Sequence, residues 1–286
     1  MYNHQLKEEI KEYICKTLNT EHVGFANMER FSTAPRGHHP EDLLPGAKTV
    51  IVFAVCIPAA ITQFRDFFRE SELMPEVVVP GDETHWFENT VYNPRMGEAN
   101  TYVSRYGYDW PQIMNQNVAF NLSLELEGKG YFSLPIPGST GGWGTDLHHT
   151  KYRKSFSLRH AAIAAGLGEM GWSGLVLVPR HGPNVRFCAV ITTAELEPSI
   201  WFEEKLCLGE KCSICTKSCP SKAYGETISY YTGSKKVSHK QLHWGIMEKS
   251  PEGTTCRSIS SGYCGECQFL CPADKRINEL KRLKRK

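Results

Sequence analysis

Eight of the eleven cysteines in this 286-residue chain fall into two runs near its C-terminus. The first holds Cys207, Cys212, Cys215 and Cys219 followed by Pro220; the second holds Cys256, Cys264, Cys267 and Cys271 followed by Pro272. Each run ends in C-x2-C-x3-C-P, the ligand pattern of a cubane iron-sulfur cluster. A tight C-x2-C turn aims two thiolates and the neighbouring amides at one metal centre. The proline then closes the loop into a helix, where its missing N–H is no loss. In chains with two such runs, the cysteine before each proline ligates the other cluster. Cluster one then takes Cys207, Cys212, Cys215 and Cys271, and cluster two takes Cys219, Cys256, Cys264 and Cys267. The openings, C-x4-C and C-x7-C, depart from the commoner C-x2-C and make Cys207 and Cys256 the outlying members. Zinc and disulfides are the competing chemistries, but zinc knuckles seldom carry the extra C-x3-C-P on both halves. The doubled pattern points to electron transfer.

The other three cysteines carry no such pattern. Cys56 and Cys188 sit in apolar runs and read as small buried residues in strands, and Cys15 lies on a polar N-terminal helix. Two clusters need far fewer residues than the chain has, so about two hundred residues upstream must form a domain of their own. With 41% hydrophobic and 22% charged residues, the composition is that of a globular protein with a sizeable core. The sequence has no run of eighteen apolar residues, so no membrane span is expected. Residues 1–18 are charged, with Leu6, Ile10, Tyr13, Ile14 and Leu18 at helical spacing, and lack the apolar core of a secretory signal. Together with oxygen-sensitive clusters, this predicts a cytoplasmic protein. A net charge of +2 implies no partner. Seven of the last twelve residues are Lys or Arg, which reads as a solvated helical tail or, alternatively, a contact for nucleic acid or an acidic partner.

Helix and strand signals alternate upstream, which predicts an α/β part over residues 1–198 and a cluster part over 199–286, divided near Glu197-Pro198. Helices are expected over about 4–18, 112–127 and 158–165, and strands over about 49–57, 175–178 and 185–193. Residues 134–144, rich in Pro and Gly, read as a loop. Gly166-Leu167-Gly168-Glu169-Met170-Gly171 matches G-x-G-x-x-G but follows a helix, not a strand, which argues against a dinucleotide fingerprint. Its glycines would still let backbone approach a large flat ligand. The pairs His38-His39 and His148-His149 read as solvated loop residues.

Several segments, in order, resemble one family. Leu44-Pro45-Gly46-Ala47-Lys48-Thr49-Val50-Ile51-Val52 is similar to the first strand entry of the epoxyqueuosine reductases. Arg105-Tyr106-Gly107-Tyr108-Asp109 resembles their tyrosine-rich turn before a long helix. Ala165-Gly166-Leu167-Gly168, with Pro179-Arg180-His181-Gly182, resembles their central glycine motif. Cys264-Gly265-Glu266-Cys267-Gln268-Phe269-Leu270-Cys271-Pro272 is similar to their second cluster run. The motif over 166–171 and Gly182-Pro183-Asn184-Val185-Arg186 resemble the related reductive dehalogenases more closely still.

The resemblance implies a cobalamin-dependent reductase. A nitroreductase-like α/β domain would bind the corrinoid, and a ferredoxin-like α+β domain with two 4Fe-4S clusters would deliver electrons received from reduced ferredoxin or flavodoxin. It places the corrinoid against Gly166, Leu167, Gly168, Gly171, Gly182 and Arg186. Counted without gaps from Ala165, the aspartate of the family's Asp-Ser-Ala-Pro motif falls on Tyr152. A tyrosine whose pKa is lowered by Arg153 or Lys154 can donate the proton instead; the bland reading is a packing aromatic with a wet hydroxyl. Tyr106, Tyr108 and Asp146 are further donor candidates. The expected function is reduction of a small organic substrate. Epoxyqueuosine reduction on tRNA, with Lys281, Arg282 and Lys284 to Lys286 in a basic groove, is the second. An electron-transfer protein that reduces or carries corrinoid for a partner enzyme is the third. The sequence ends soon after the second run, without the helical repeats of many epoxyqueuosine reductases, which turns the expectation away from tRNA.

Overall fold

The computed structural model describes residues 2–34, 36–69, 77–79, 90–92, 102–103, 105–138, 156–218 and 265–284. The strands among them are β1 (Val23–Asn27), β2 (Thr49–Cys56), β3 (Val77–Val79), β4 (Thr90–Tyr92), β5 (Ser133–Ile136), β6 (Glu169–Met170), β7 (Val176–Leu177) and β8 (Val185–Thr192). Four of them form an antiparallel sheet in the order β1-β2-β8-β5, and β3 with β4 and β6 with β7 form two small ribbons.

The central pair explains why the apolar runs are continuous, not alternating. Successive side chains of a strand point to opposite faces, and both faces of β2 are covered. Val50, Val52 and Ala54 enter one core, while Ile51, Phe53 and Val55 enter the other. β2 pairs with β8 along its whole length, from Thr49 opposite Thr192 to Cys56 opposite Val185. One face is capped by the helix His4–Leu18, through Leu6, Ile10, Ile14 and Leu18, and by the helix Trp110–Gly128, through Val118, Ala119, Leu122 and Leu126. These positions recur three or four residues apart and so share one stripe of each helix. The other face is covered by the helix Leu158–Ala164, whose Ala161, Ala162 and Ala164 are fully buried.

The helices and strands expected from periodicity lie within two residues of their observed bounds. Five strands were not anticipated: β1, β3, β4, β5 and β6. Residues 134–136, expected in a loop, belong to β5, and Pro135 is tolerated there because β5 is an edge strand. β1 is short and carries Gly24, where a Cβ would sit 2.3 Å from the carbonyl oxygen of Ala165, so glycine lets the strand pass the end of the Leu158–Ala164 helix. Downstream, a tight turn at Gly209–Lys211 leads into the short helix Ile214–Lys217, which packs against the helix Glu266–Phe269. The helix Lys275–Lys284 follows. The protein is mixed α/β, and among the described residues no helix is long and apolar enough to cross a membrane.

Candidate cluster site and its surroundings

A buried carboxylate fixes the segment that carries Cys207. Glu169, on β6 and 2% exposed, accepts the Leu206 N–H at 2.7 Å, the Cys207 N–H, and the Lys205 ammonium at 3.0 Å. The Cys207 sulfur in turn accepts two amides, from Trp172 at 3.2 Å and Gly209 at 3.3 Å. The chain then bends through left-handed residues at Gly209 and Ser213, and Cys212 and Cys215 lie on either side of the second bend. Cys271 lies just beyond the Glu266–Phe269 helix, where its carbonyl accepts the Asp274 N–H at 3.2 Å.

These four thiols act on one another. Burial pushes the Cys215 thiol up to about 11, and the neighbouring Cys271, Cys207 and Cys212 add to the rise. Burial likewise pushes Cys271 up to about 11, with Cys207 and Cys212 contributing. Thiols from both cysteine runs are therefore near enough to act on one another, and their mutual repulsion as thiolates is what a cluster of iron cations would relieve. Among the described residues, only His22, Cys56 and His181 place three ligand atoms all within 4.8 Å of one another. No three of the four thiols are that close. Of the expected second set, Cys267 is half-buried on the Glu266–Phe269 helix, whereas Cys219, Cys256 and Cys264 lie outside the described residues, as do Tyr152 and Arg153.

The glycines of the motif meet the chain's own backbone. A Cβ on Gly166 would lie 2.1 Å from the Ile200 carbonyl oxygen, one on Gly168 1.9 Å from that of Leu177, and one on Gly182 2.6 Å from the Asp274 nitrogen. A Cβ on Gly171 would meet the Leu177 side chain at 3.0 Å, and Leu167 itself belongs to the core. Gly166 and Gly182 thereby admit, respectively, the segment before Cys207 and the segment after Cys271. Arg186 reaches the Arg105–Asp109 turn, where its Nε donates to the Gly107 carbonyl at 3.2 Å and its guanidinium lies 4.2 Å from the Tyr108 ring centroid. Tyr106 is half exposed, its ring beside that of Tyr102. Near this turn both amide atoms of Gln112 and the Asn115 Oδ1 are buried without a hydrogen-bond partner. Such orphans are rare, and they fit a ligand whose rim carries amides, as a corrinoid's does.

Two groups escaped the sequence reading. Glu169 was only a variable position of a glycine pattern, and Cys56 read as packing. Cys56 does pack against the core, only partly buried, and it also faces His22 and His181. No spacing rule could have found that trio, because its members come from three separate segments that only the sheet brings together.

No protein-family model matches the chain. Its fold is that of the epoxyqueuosine reductases. One such enzyme, solved with an epoxyqueuosine-modified tRNA-Tyr stem loop, aligns over 95% of this chain and 66% of its own at TM-score 0.54 and 19% identity. The Bacillus subtilis enzyme aligns over the same shares at TM-score 0.52 and 19% identity. In sequence the chain is similar to the tetrachloroethene reductive dehalogenases. That of Sulfurospirillum multivorans is 33% identical over 120 residues, which is 40% of this chain and 23% of the relative. That of Desulfitobacterium hafniense is 31% identical over 109 residues, 37% of this chain and 17% of the relative. The chain thus resembles the epoxyqueuosine reductase and reductive dehalogenase superfamily from two sides, although it spans just under two thirds of the solved reductases and its matched segment under a quarter of the dehalogenases.

Proposed function

We propose that this chain is an oxidoreductase that binds two 4Fe-4S clusters and a corrinoid and reduces a small organic substrate. The observation that carries the reading is that Cys207, Cys212, Cys215 and Cys271, drawn from both cysteine runs, lie near enough for the first three and the last to act on one another electrostatically. In this reading those four hold one cluster, and Cys219, Cys256, Cys264 and Cys267 hold the other. When bound, the clusters and the corrinoid supply the electron chemistry. The chain's own residues position and protonate. Glu169 orients Cys207; Arg186 borders the corrinoid; and the unpartnered Gln112 amide and Asn115 Oδ1 offer its rim hydrogen bonds. Tyr152, with Arg153 next to it in sequence, donates the proton, and Tyr106 is the second candidate. Residues 1–198 act as a nitroreductase-like domain and 199–286 as a ferredoxin-like domain, served by reduced ferredoxin or flavodoxin in the cytoplasm.

Epoxyqueuosine reduction on tRNA is the second reading. It is supported by the fold match over 95% of this chain to an enzyme solved with a tRNA stem loop, and by exposed Lys275 and Arg282 on the C-terminal helix. Anaerobic reconstitution with iron, sulfide and hydroxocobalamin tests what both readings share. About eight irons per chain and one corrinoid are expected, and zinc in place of iron at the cysteine runs overturns both. The reconstituted protein, given reduced flavodoxin, is then offered an epoxyqueuosine-modified stem loop and a set of small halogenated organics. Dehalogenation without turnover of the stem loop supports the first reading, and turnover of the stem loop alone replaces it with the second.

A further inference from the structure

His22, Cys56 and His181 stand apart from both cysteine runs and are brought together by the sheet. His22 leads into β1, and its carbonyl accepts the Ala54 N–H at 3.0 Å, which sets it beside the end of β2 where Cys56 lies. Cys56 pairs in register with Val185 at the start of β8. His181 sits in the connection that enters β8, held by reciprocal hydrogen bonds between Val178 and Gly182 at 3.0 and 2.9 Å. The donor atoms of the three side chains lie within 4.8 Å of one another. His22 Nε2 and His181 Nδ1 are 2.9 Å apart, with the two rings perpendicular.

We infer that His22, Cys56 and His181 form a binding site for a zinc-class divalent metal ion, with two imidazole nitrogens and one thiolate as ligands and a fourth position for water. The donor types are those zinc selects, and three protein ligands with one open position are the pattern of its non-structural sites. With Zn–N near 2.0–2.1 Å and Zn–S near 2.3 Å, tetrahedral ligands stand about 3.3–3.8 Å apart. The hydrogen-bonded imidazole pair, 2.9 Å apart, therefore opens by a few tenths of an ångström to admit the ion.

Charges of both signs surround the site. Burial, more than the nearby His181 and Arg276, pulls the His22 imidazole down to about 4, so it is neutral at physiological pH. Of the two arginines that act on the site, Arg276 is engaged by Asp274, through Nε at 3.0 Å and a terminal nitrogen at 2.7 Å. Glu21 and Asp274 also act on Cys56 and His181, and Arg180 acts on His181. Thr20 hydrogen-bonds Cys56, and its hydroxyl accepts the His22 N–H at 3.2 Å, as a second layer that holds metal ligands in place. Cys56 keeps its proton without a metal, since burial pushes its thiol up to about 11. Uptake of one ion therefore forms one metal–sulfur bond and releases one proton, while His22 and His181 bind as neutral rings. Gly182, next to His181, abuts the Ala273–Asp274 backbone, so the ion would brace the sheet against the segment that follows Cys271.

The test counts two metals separately in the holoprotein. Anaerobically purified protein is incubated with equimolar Zn2+, desalted and analysed for zinc and iron, and the zinc edge is recorded by X-ray absorption. About one zinc per chain is expected, with a first shell of nitrogen or oxygen and one sulfur. Cys56→Ala and His181→Ala should each lose that zinc and leave iron unchanged. Failure to retain zinc, retention by both variants, or a shell of sulfur alone would overturn the site. If a variant loses iron as well, the wild-type zinc spectrum decides the matter alone. Failure of the iron-sulfur reading shows in the iron count and leaves this result standing.

Discussion

The sheet and the cysteine-bearing segments are held by different forces. In β2, Val50, Ile51, Val52, Phe53 and Ala54 are all fully buried, and in β8 so are Cys188 to Ile191. Between residues 201 and 218, no residue is buried. Each large apolar side chain of the sheet contributes roughly 1.5–3 kcal/mol by leaving water, so burial dominates that layer. The 201–218 segment is anchored through polar groups: three donors on Glu169 and two amides on the Cys207 sulfur. If its thiols hold the proposed cluster, such a segment gains much of its stability from the metal.

The sharpest way to break that contrast is to remove the iron. Chelation of the reconstituted protein should abolish amide-exchange protection over residues 205–218 while β2 and β8 keep theirs, as read by hydrogen-exchange mass spectrometry. Simultaneous loss in both regions would show one cooperative unit instead. Next in size, Phe53→Ala should cost about 3–5 kcal/mol in urea unfolding, because it leaves a cavity between strand and helices. The folded fraction should retain its full complement of iron. Smaller in reach is Asp274→Ala. Asp274 is fully buried, accepts from Asn184 at 2.8 Å and pairs with Arg276 at 2.7 Å. Its loss leaves Arg276 without its partner, which is worth about 3 kcal/mol. Protection should fall at the start of the Lys275–Lys284 helix before it falls in the sheet.

The same contrast explains what could be read in the sequence. Val50 to Val55 and Val185 to Ile191 declare themselves because burial on two faces demands unbroken hydrophobicity, and Leu6, Ile10, Ile14 and Leu18 because one helical face is buried. The cysteines declare themselves because C-x2-C-x3-C-P is a local spacing that occurs twice. β5 was hidden by Pro135, whose local preference is overridden by its place on a sheet edge. Glu169 and the trio His22, Cys56 and His181 were hidden for a deeper reason. Their partners are distant in the chain, and a single buried carboxylate or imidazole has no period. The antiparallel order β1-β2-β8-β5 was also illegible, since pairing of distant strands leaves no trace in either one.

The finest probe of the comparison is Glu169→Gln, which keeps the shape of the side chain and removes its charge. The amide oxygen can still accept one backbone N–H, so the Cys207 segment should weaken by only about 1 kcal/mol and the iron count should hold. The electrostatics change more. A cluster gains one negative charge on reduction, and the carboxylate that holds the Cys207 N–H opposes that charge. Its loss also frees the Lys205 ammonium, which acts in the same direction. The midpoint potential of the cluster on Cys207 should therefore rise, by an amount on the order of tens of millivolts, in a redox titration followed by electron paramagnetic resonance. An unchanged potential with normal iron would mean that Glu169 holds the backbone of Cys207 without reaching the cluster's electrons.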